Sequence, residues 1–347
     1  MQRHIRYKYA CKAFEGVEDD GPTVRIAPAP VVLIPKSNVT EGLLAHICLP
    51  LYELLQNQIR SGPLINMDET PLPVLKEPGR ANTSKSYMWV FCGGDPKHRT
   101  VLYRYRPTRS GQAALSFLDD YQGYIQSDDY NGYDYLAKKD GIVHLGCWAH
   151  VRRKFFDVVK LRKKNRGKRE NPKGLADQAL DYIGRLYQVE KQIRQDQLSP
   201  EQINPHRKER SSPILKGFKI WLDATEPLTP PQGLLGKAIN YALKNWDKLT
   251  VYKENGLLKP DNNVAENAIR PFVVGRKNWL FAGHPNGAYD SATFFSLIET
   301  AKANGMEPFA YLRCLFEQLP FVKEQSKYRQ LHPQYIDPNF INLSVRD

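Results

Sequence analysis

The order in which strand-like and helix-like segments follow one another constrains this chain most. From residue 64 three short segments read as strands, the third with alternating sides. They are 64–68, ending at Asp68-Glu-Thr-Pro71; 86–92, stopped by Gly93-Gly-Asp-Pro96; and 100–106. A helix is expected over 110–121, with Ser110 placed to cap it. A strand at 123–127, a short helix at 130–136, a strand at 141–145 and a helix from Trp148 come next. Hairpin-linked strands followed by alternating helices and strands call for a mixed sheet flanked by helices.

The expected fold class is therefore α/β: a ribonuclease-H-like mixed sheet with flanking helices, interrupted by a mainly α-helical insertion. The insertion is read over 151–255, where strand signals vanish and helical periodicity is clearest at 177–193 and 234–249. Between these, 199–213 is polar and proline-marked and reads as a connection. Residues 51–150 are the first part of the core, and 256–320 the second, with helices at 261–273, 288–304 and 308–319 and an apolar segment at 278–282. A helix at 49–60 places Leu51, Leu54, Leu55 and Ile59 on one face and ends at Ser61-Gly-Pro63. Residues 1–50 read as an N-terminal remnant with a proline-marked connector, and 321–347 as a polar arm.

Composition narrows the function. Of 347 residues 41% are hydrophobic and 25% charged, which excludes a disordered or fibrous chain. No apolar run approaches the roughly 20 residues of a membrane span, and the basic N-terminus lacks an apolar leader. Five scattered cysteines (Cys11, Cys48, Cys92, Cys147, Cys314) without a C-x-x-C pair fit a reducing compartment, and the expectation is a cytoplasmic protein. Fifty Lys and Arg against 37 Asp and Glu leave a net charge of +13, which suits a polyanionic partner. Ten of the basic residues fall within 152–169, against one acid.

Asp68 and Asp128 each stand at the end of an expected strand, where sites form in open α/β sheets. Two carboxylates from adjacent strands suit Mg²⁺ or Mn²⁺, and such sites hold two ions about 4 Å apart. A third carboxylate is expected on a helix against the sheet, and Glu266 is the candidate. Each has a structural alternative. The aspartates can simply open turns, and Glu266, three residues after Asn263, can complete a capping box. Asp129 and Asp134 are the runners-up for the second position. Cys147 and His150 form a C-x-x-H pair, two ligands short of a structural zinc site.

Several blocks resemble those of the insertion sequence 66 family of transposases. They are Met67-Asp-Glu-Thr-Pro71, Gln126-Ser-Asp-Asp-Tyr-Asn-Gly-Tyr-Asp134, Cys147-Trp-Ala-His-Val-Arg-Arg-Lys-Phe155 and Asp261-Asn-Asn-Val-Ala-Glu-Asn-Ala-Ile-Arg-Pro271. Gly275-Arg-Lys-Asn-Trp-Leu-Phe281 and Thr300-Ala-Lys-Ala-Asn-Gly305 resemble its later blocks. The resemblance spans about 51–320 and implies a DDE-type nuclease core. Asp68, Asp128 and Glu266 would then be a catalytic triad holding Mg²⁺ or Mn²⁺, two ions in the family's manner, with Cys147 and His150 organising the core. The implied substrate is double-stranded DNA, at transposon ends and at the target, cleaved and joined by a homo-oligomer with accessory proteins of the same element. Arg152, Arg153, Lys154, Arg162, Lys163, Lys164 and Arg166, with Arg270, Arg276 and Lys277 near Glu266, are the expected phosphate contacts. Two departures bear on end recognition. Phe14 stands where the family pattern has a second cysteine, and Gly42-Leu-Leu-Ala-His46 runs almost directly into Leu49-Pro-Leu-Tyr-Glu53. A metal-dependent nuclease without strand transfer and a catalytically silent DNA-binding remnant are the alternative readings.

Overall fold

A computed structural model describes residues 8–10, 24–26, 41–110, 116–118, 120–128, 131–133, 139–166, 173–322 and 324–336. Strands β1 (Lys8–Ala10) and β2 (Val24–Ile26) form a small antiparallel ladder. The main sheet has five strands: β3 (Leu64–Pro73), β4 (Lys85–Asp95), β5 (His98–Arg106), β6 (Gly123–Gln126) and β7 (Ile142–Leu145). Their spatial order is β5-β4-β3-β6-β7, with β3, β4 and β5 antiparallel and β3, β6 and β7 parallel.

Helices surround the sheet: α1 (Glu41–Ser61), α2 (Trp148–Arg166), α3 (Leu175–Gln195), α4 (Pro200–Thr225), α5 (Leu234–Lys244), α6 (Trp246–Thr250), α7 (Asn263–Trp279), α8 (Pro285–Ala303), α9 (Pro308–Gln318) and α10 (Gln325–Gln330). Alternation along the strands explains the layering. Ile65, Met67, Trp89 and Phe91 pack with Leu51, Leu55 and Ile59 of α1. The intervening Leu72, Met88 and Val90 pack with Ala265, Ile269 and Phe272 of α7. With both faces covered, the strands read as nearly continuous apolar runs. A separate cluster joins α2, through Val151, Phe155 and Val159, to Ile183, Phe218, Leu222 and Ile239 of α3, α4 and α5. No helix among the described residues is long and apolar enough to cross a membrane.

Strand β5 lies at one edge of the sheet, and α8 takes up its free hydrogen bonds. Thr300 Oγ1 accepts from Val101 N at 3.0 Å and donates to Val101 O at 2.9 Å, and Ser296 Oγ accepts from Tyr103 N at 2.8 Å. Two small hydroxyls thereby do for this edge what a further strand would do.

Several expected boundaries move. Strand β3 does not end at Asp68 but continues to Pro73, because β4 pairs with it as far as Pro73↔Lys85 while β6 stops at Asn66↔Gln126. Pro73 is tolerated because its carbonyl faces Ala282 N (3.0 Å) and not β4, so its missing N–H removes no ladder bond. The helix expected over 110–121 is described only at 116–118, as one 3-10 turn. The connection expected at 199–213 is the first half of α4. Pro200 occupies a first-turn position, the Ser199 amide donates to Gln202 Oε1 (2.9 Å), and the buried guanidinium of Arg207 in this half is fully satisfied. Arg207 donates to Glu190 Oε1 and Oε2 (both 2.8 Å) and to the carbonyls of Tyr252, Asn255 and Leu258. The helix expected over 234–249 breaks at Asn245 into α5 and α6. Part of the expected C-terminal arm is α10, and Ile336 joins the α1 core.

Candidate functional site

Three buried side-chain amides converge beneath the acids. Asn66 on β3 and Gln126 on β6 face one another in the parallel ladder, and Asn66 Nδ2 donates to Gln126 Oε1 at 2.8 Å. Asn66 Nδ2 also donates to Asn262 Oδ1 at 3.1 Å, and Asn262 Nδ2 donates to Met67 O at 2.8 Å. Gln126 Nε2 reaches the carbonyls of Gly146 (3.1 Å) and Lys259 (2.9 Å). All three residues are buried. Such a network holds its members in one arrangement because any broken bond strands a polar group away from water.

The acids take their positions from this network. Asp68 and Asp128 each lie two residues beyond a bonded amide, Asn66 and Gln126, so they stand at the same register, Asp68 within β3 and Asp128 just past the end of β6. Glu266 lies four residues beyond Asn262, in the first turn of α7. The capping-box alternative for Glu266 does not hold. The cap position is Asn262, not Asn263, and the Asn262 side chain serves Asn66 and Met67 and not the helix. Glu266 itself points at α2: Oε1 lies 3.7 Å from His150 Nδ1 and Oε2 lies 3.4 Å from Arg153 Nη2.

Electrostatics confirm that the acids feel one another. Burial pushes the Asp68 carboxyl up to about 7; the neighbouring Glu69 charge adds to this, as do Asp128 and Glu266. The Glu69 amide, donating to Asp68 Oδ1 at 2.9 Å, opposes the shift. Glu69 is itself nearly inaccessible. Its carboxylate is held by Arg109 (Nε to Oε1, 2.7 Å) and by the hydroxyl of Tyr133, and burial still raises it. Tyr133 belongs to the segment that follows Asp128, so Glu69 ties that segment to β3. Ser127, between Gln126 and Asp128, bonds His144 Nε2 on β7 at 2.8 Å. The runners-up Asp129 and Asp134 lie outside the described residues.

Cys147 and His150 join this site from the start of α2. Cys147 Sγ accepts from the Asn262 amide at 3.3 Å, linking α2 to the start of α7. Burial pushes its thiol up to about 11. Burial also holds His150 below its usual value, although Glu266 beside it works the other way. One donor atom each from Cys147, His150 and Glu266 lies within 4.8 Å of the others, a group that does not include Asp68 or Asp128.

The expected phosphate contacts divide. Arg152, Arg153, Lys154, Lys163 and Lys164 are exposed on the outer face of α2, as are Arg270 and Lys277 on α7, while Arg276 is half-buried. Lys154 lies over the Tyr241 ring, 4.3 Å from its centroid. Arg162 departs from the expected free contact: its guanidinium makes two bonds to Asp177 (2.6 and 3.1 Å), whose carboxylate also accepts from Gly174 N at the start of α3. The Arg166 side chain lies outside the described residues.

Sequence reading did not single out Asn66, Gln126, Asn262, Glu69 or Tyr133. A local signal existed for four of them, since Gln126, Asn262, Glu69 and Tyr133 stand inside quoted blocks and Asn66 does not. What could not be read was that residues so far apart bond to one another.

Residues 38–290 match the family model described as Transposase IS66 family, and residues 296–334 match one described as IS66 C-terminal element. Similar proteins include the uncharacterized proteins y4jD, y4hP and y4qI of Sinorhizobium fredii, 30%, 29% and 28% identical to this chain. The alignments cover 92%, 78% and 97% of this chain and 69%, 50% and 68% of those proteins, respectively. No solved structure matches the chain.

Proposed function

From the premise that this chain belongs to the IS66 transposase family, we propose that it catalyses metal-dependent phosphodiester cleavage and strand transfer at transposon ends, with Asp68, Asp128 and Glu266 as its catalytic carboxylates. One observation carries the assignment. Two aspartates stand at the same register of adjacent parallel strands, and one amide network links both strands to the helix start that bears Glu266. The strand order, with an antiparallel trio beside a parallel trio sharing β3, supports a ribonuclease-H-like core. On this reading α2 to α6 are an insertion between β7 and α7.

The donor set fits Mg²⁺ or Mn²⁺. Oxygen-only carboxylates suit hard cations, and Asp68, raised chiefly by burial and further by the neighbouring charges of Glu69, Asp128 and Glu266, is a carboxyl that a cation would help to ionise. When bound, such ions supply electrostatic stabilisation of the attacking and leaving oxygens of an in-line displacement. The chain's own part is to hold and orient. The amide network holds the acids' backbones, and Arg109 with Tyr133 holds Glu69 away from the Asp68 oxygens. The exposed cations of α2 attract the phosphate backbone and position it without reading sequence.

The test is strand transfer with precut transposon-end duplexes and Mn²⁺, comparing the full chain with Asp68→Asn, Asp128→Asn and Glu266→Gln. Each substitution should abolish cleavage and joining while circular dichroism stays unchanged. Undiminished cleavage by any one of the three removes that residue from the triad. Cleavage without joining by the unaltered chain selects the nuclease reading.

A further inference from the structure

We propose that Cys147, His150 and Glu266 form a binding site for a borderline-soft divalent cation, with Zn²⁺ as its best occupant. The C-x-x-H pair supplies two ligands three residues apart at the start of α2, which places both on one side of the first turn. The third ligand comes from the first turn of α7, more than a hundred residues later in the chain.

Three observations point to a cation. The first is proximity, with all three donor atoms within 4.8 Å of one another. A tetrahedral zinc site, with ligand bonds of about 2.0–2.3 Å, spaces its donors by roughly 3.4–3.6 Å. A side-chain shift of about 1 Å closes the difference. The second is that His150 Nδ1 and Glu266 Oε1 are shut off from solvent, lie 3.7 Å apart, and neither has a hydrogen-bond partner. An imidazole nitrogen and a carboxylate oxygen left this way are both satisfied by one ion between them. The third is the rest of the Glu266 carboxylate: Arg153 lies 3.4 Å from Oε2, leaving Oε1 as the oxygen free for a metal.

The donor types decide which metal. Thiolate and imidazole favour Zn²⁺ over Mg²⁺ and Mn²⁺, which prefer oxygen alone. Cys147 and Glu266 also sit at the starts of two helices, where backbone partial charges favour an anionic ligand. The side chains of His150 and Glu266 are 22% and 21% exposed, so an ion has a path from solvent and a fourth position open to water. The site shares Glu266 with the proposed catalytic carboxylates, so an ion held here and Mg²⁺ or Mn²⁺ held through Glu266 exclude one another, while Asp68 and Asp128 are not needed for it.

Titrating Co²⁺ into the chelator-stripped full chain tests this directly. The expected result is one equivalent bound, with the visible bands of a tetrahedral ion and a near-ultraviolet thiolate-to-cobalt charge-transfer band. One equivalent of Zn²⁺ should bleach both, and about a hundredfold excess of Mg²⁺ should not. Cys147→Ser should remove the charge-transfer band and weaken binding by more than the roughly 100-fold that outer-shell changes cause. Because Cys147 is buried, Glu266→Gln provides a second variant, expected to keep the thiolate band but to need far more Co²⁺ to develop it. No thiolate band with equimolar Co²⁺, a band that persists in Cys147→Ser, or equal displacement by Mg²⁺ would overturn the assignment.

Discussion

At Asn262 a single side chain joins the sheet to the helix that carries Glu266. Replacing it with alanine strands Met67 O and removes one of the two acceptors of Asn66 Nδ2 inside the protein. Asn262→Ala should lower unfolding stability by about 2–3 kcal/mol, read from a shift of the urea midpoint at constant slope. Asp68 gives a second expectation, for the metal-free chain. A carboxyl raised from 3.8 to about 7 keeps in the folded state a proton that the unfolded chain has already released. Its contribution to stability is therefore full below about pH 4 and is lost as pH rises to 7. Asp68→Asn in chelator should flatten that decline, by up to about 4 kcal/mol between the two limits. Parallel pH profiles of variant and parent would contradict it. The candidate acids could be picked out in the sequence because each sits in a short block with local character: a polar residue after an apolar run, or a carboxylate at an expected helix start. The amides that hold them were not, because Asn66 carries no local sign that its partners are Gln126 and Asn262. Whether Cys147 and His150 had a third companion was equally hidden, since Glu266 reaches them only through the fold.

Among the elements, α8 and α4 show how polar groups decide structure that apolar periodicity leaves open. Thr300→Val preserves shape but leaves Val101 N and O on the edge of β5 without partners. The expected loss is about 1–3 kcal/mol, with a new tendency to associate through the freed edge, visible by light scattering on warming. An unaltered melting curve would mean that water replaces the hydroxyl without penalty. In α4, Arg207→Met leaves the Glu190 carboxylate buried and unpaired, which should cost about 3–5 kcal/mol. Adding Glu190→Leu should recover part of that loss, a non-additivity measurable as a double-mutant cycle. This ion pair also explains why 199–213 misled the reading of the sequence. Its prolines and charges look like a connection until Glu190 and the carbonyls of residues 252–258 appear around Arg207. The long helices α3 and α7 were legible because an apolar stripe needs no distant partner to be recognised, though α7 runs on past Pro271 to Trp279.

For the whole molecule, the charge of +13 is spread so that the face of α2 bears its densest exposed share. Neutralising Lys163 and Lys164 together should reduce the slope of log affinity against log salt by about 1.8 on duplex DNA of any sequence. Arg162→Gln should barely change that slope, since its charge is spent on Asp177, and should instead loosen the start of α3. Equal slope changes for all three residues would show that the Asp177 contact yields to DNA. The architecture has a further consequence in time. Asn66 and its partner Asn262 are separated by 196 residues, and every strand of the sheet precedes the second of them. At about 5–20 residues per second, a ribosome needs ~10–40 s to pass from one to the other. From Asp128 until Asn262 is made, the emerging chain holds both aspartates but neither the Asn262 amide nor Glu266. On the proposed function, a chain interrupted before α7 has its sheet but lacks one of the three carboxylates, so any capacity to break DNA would arrive late in synthesis, after the helices between have been made.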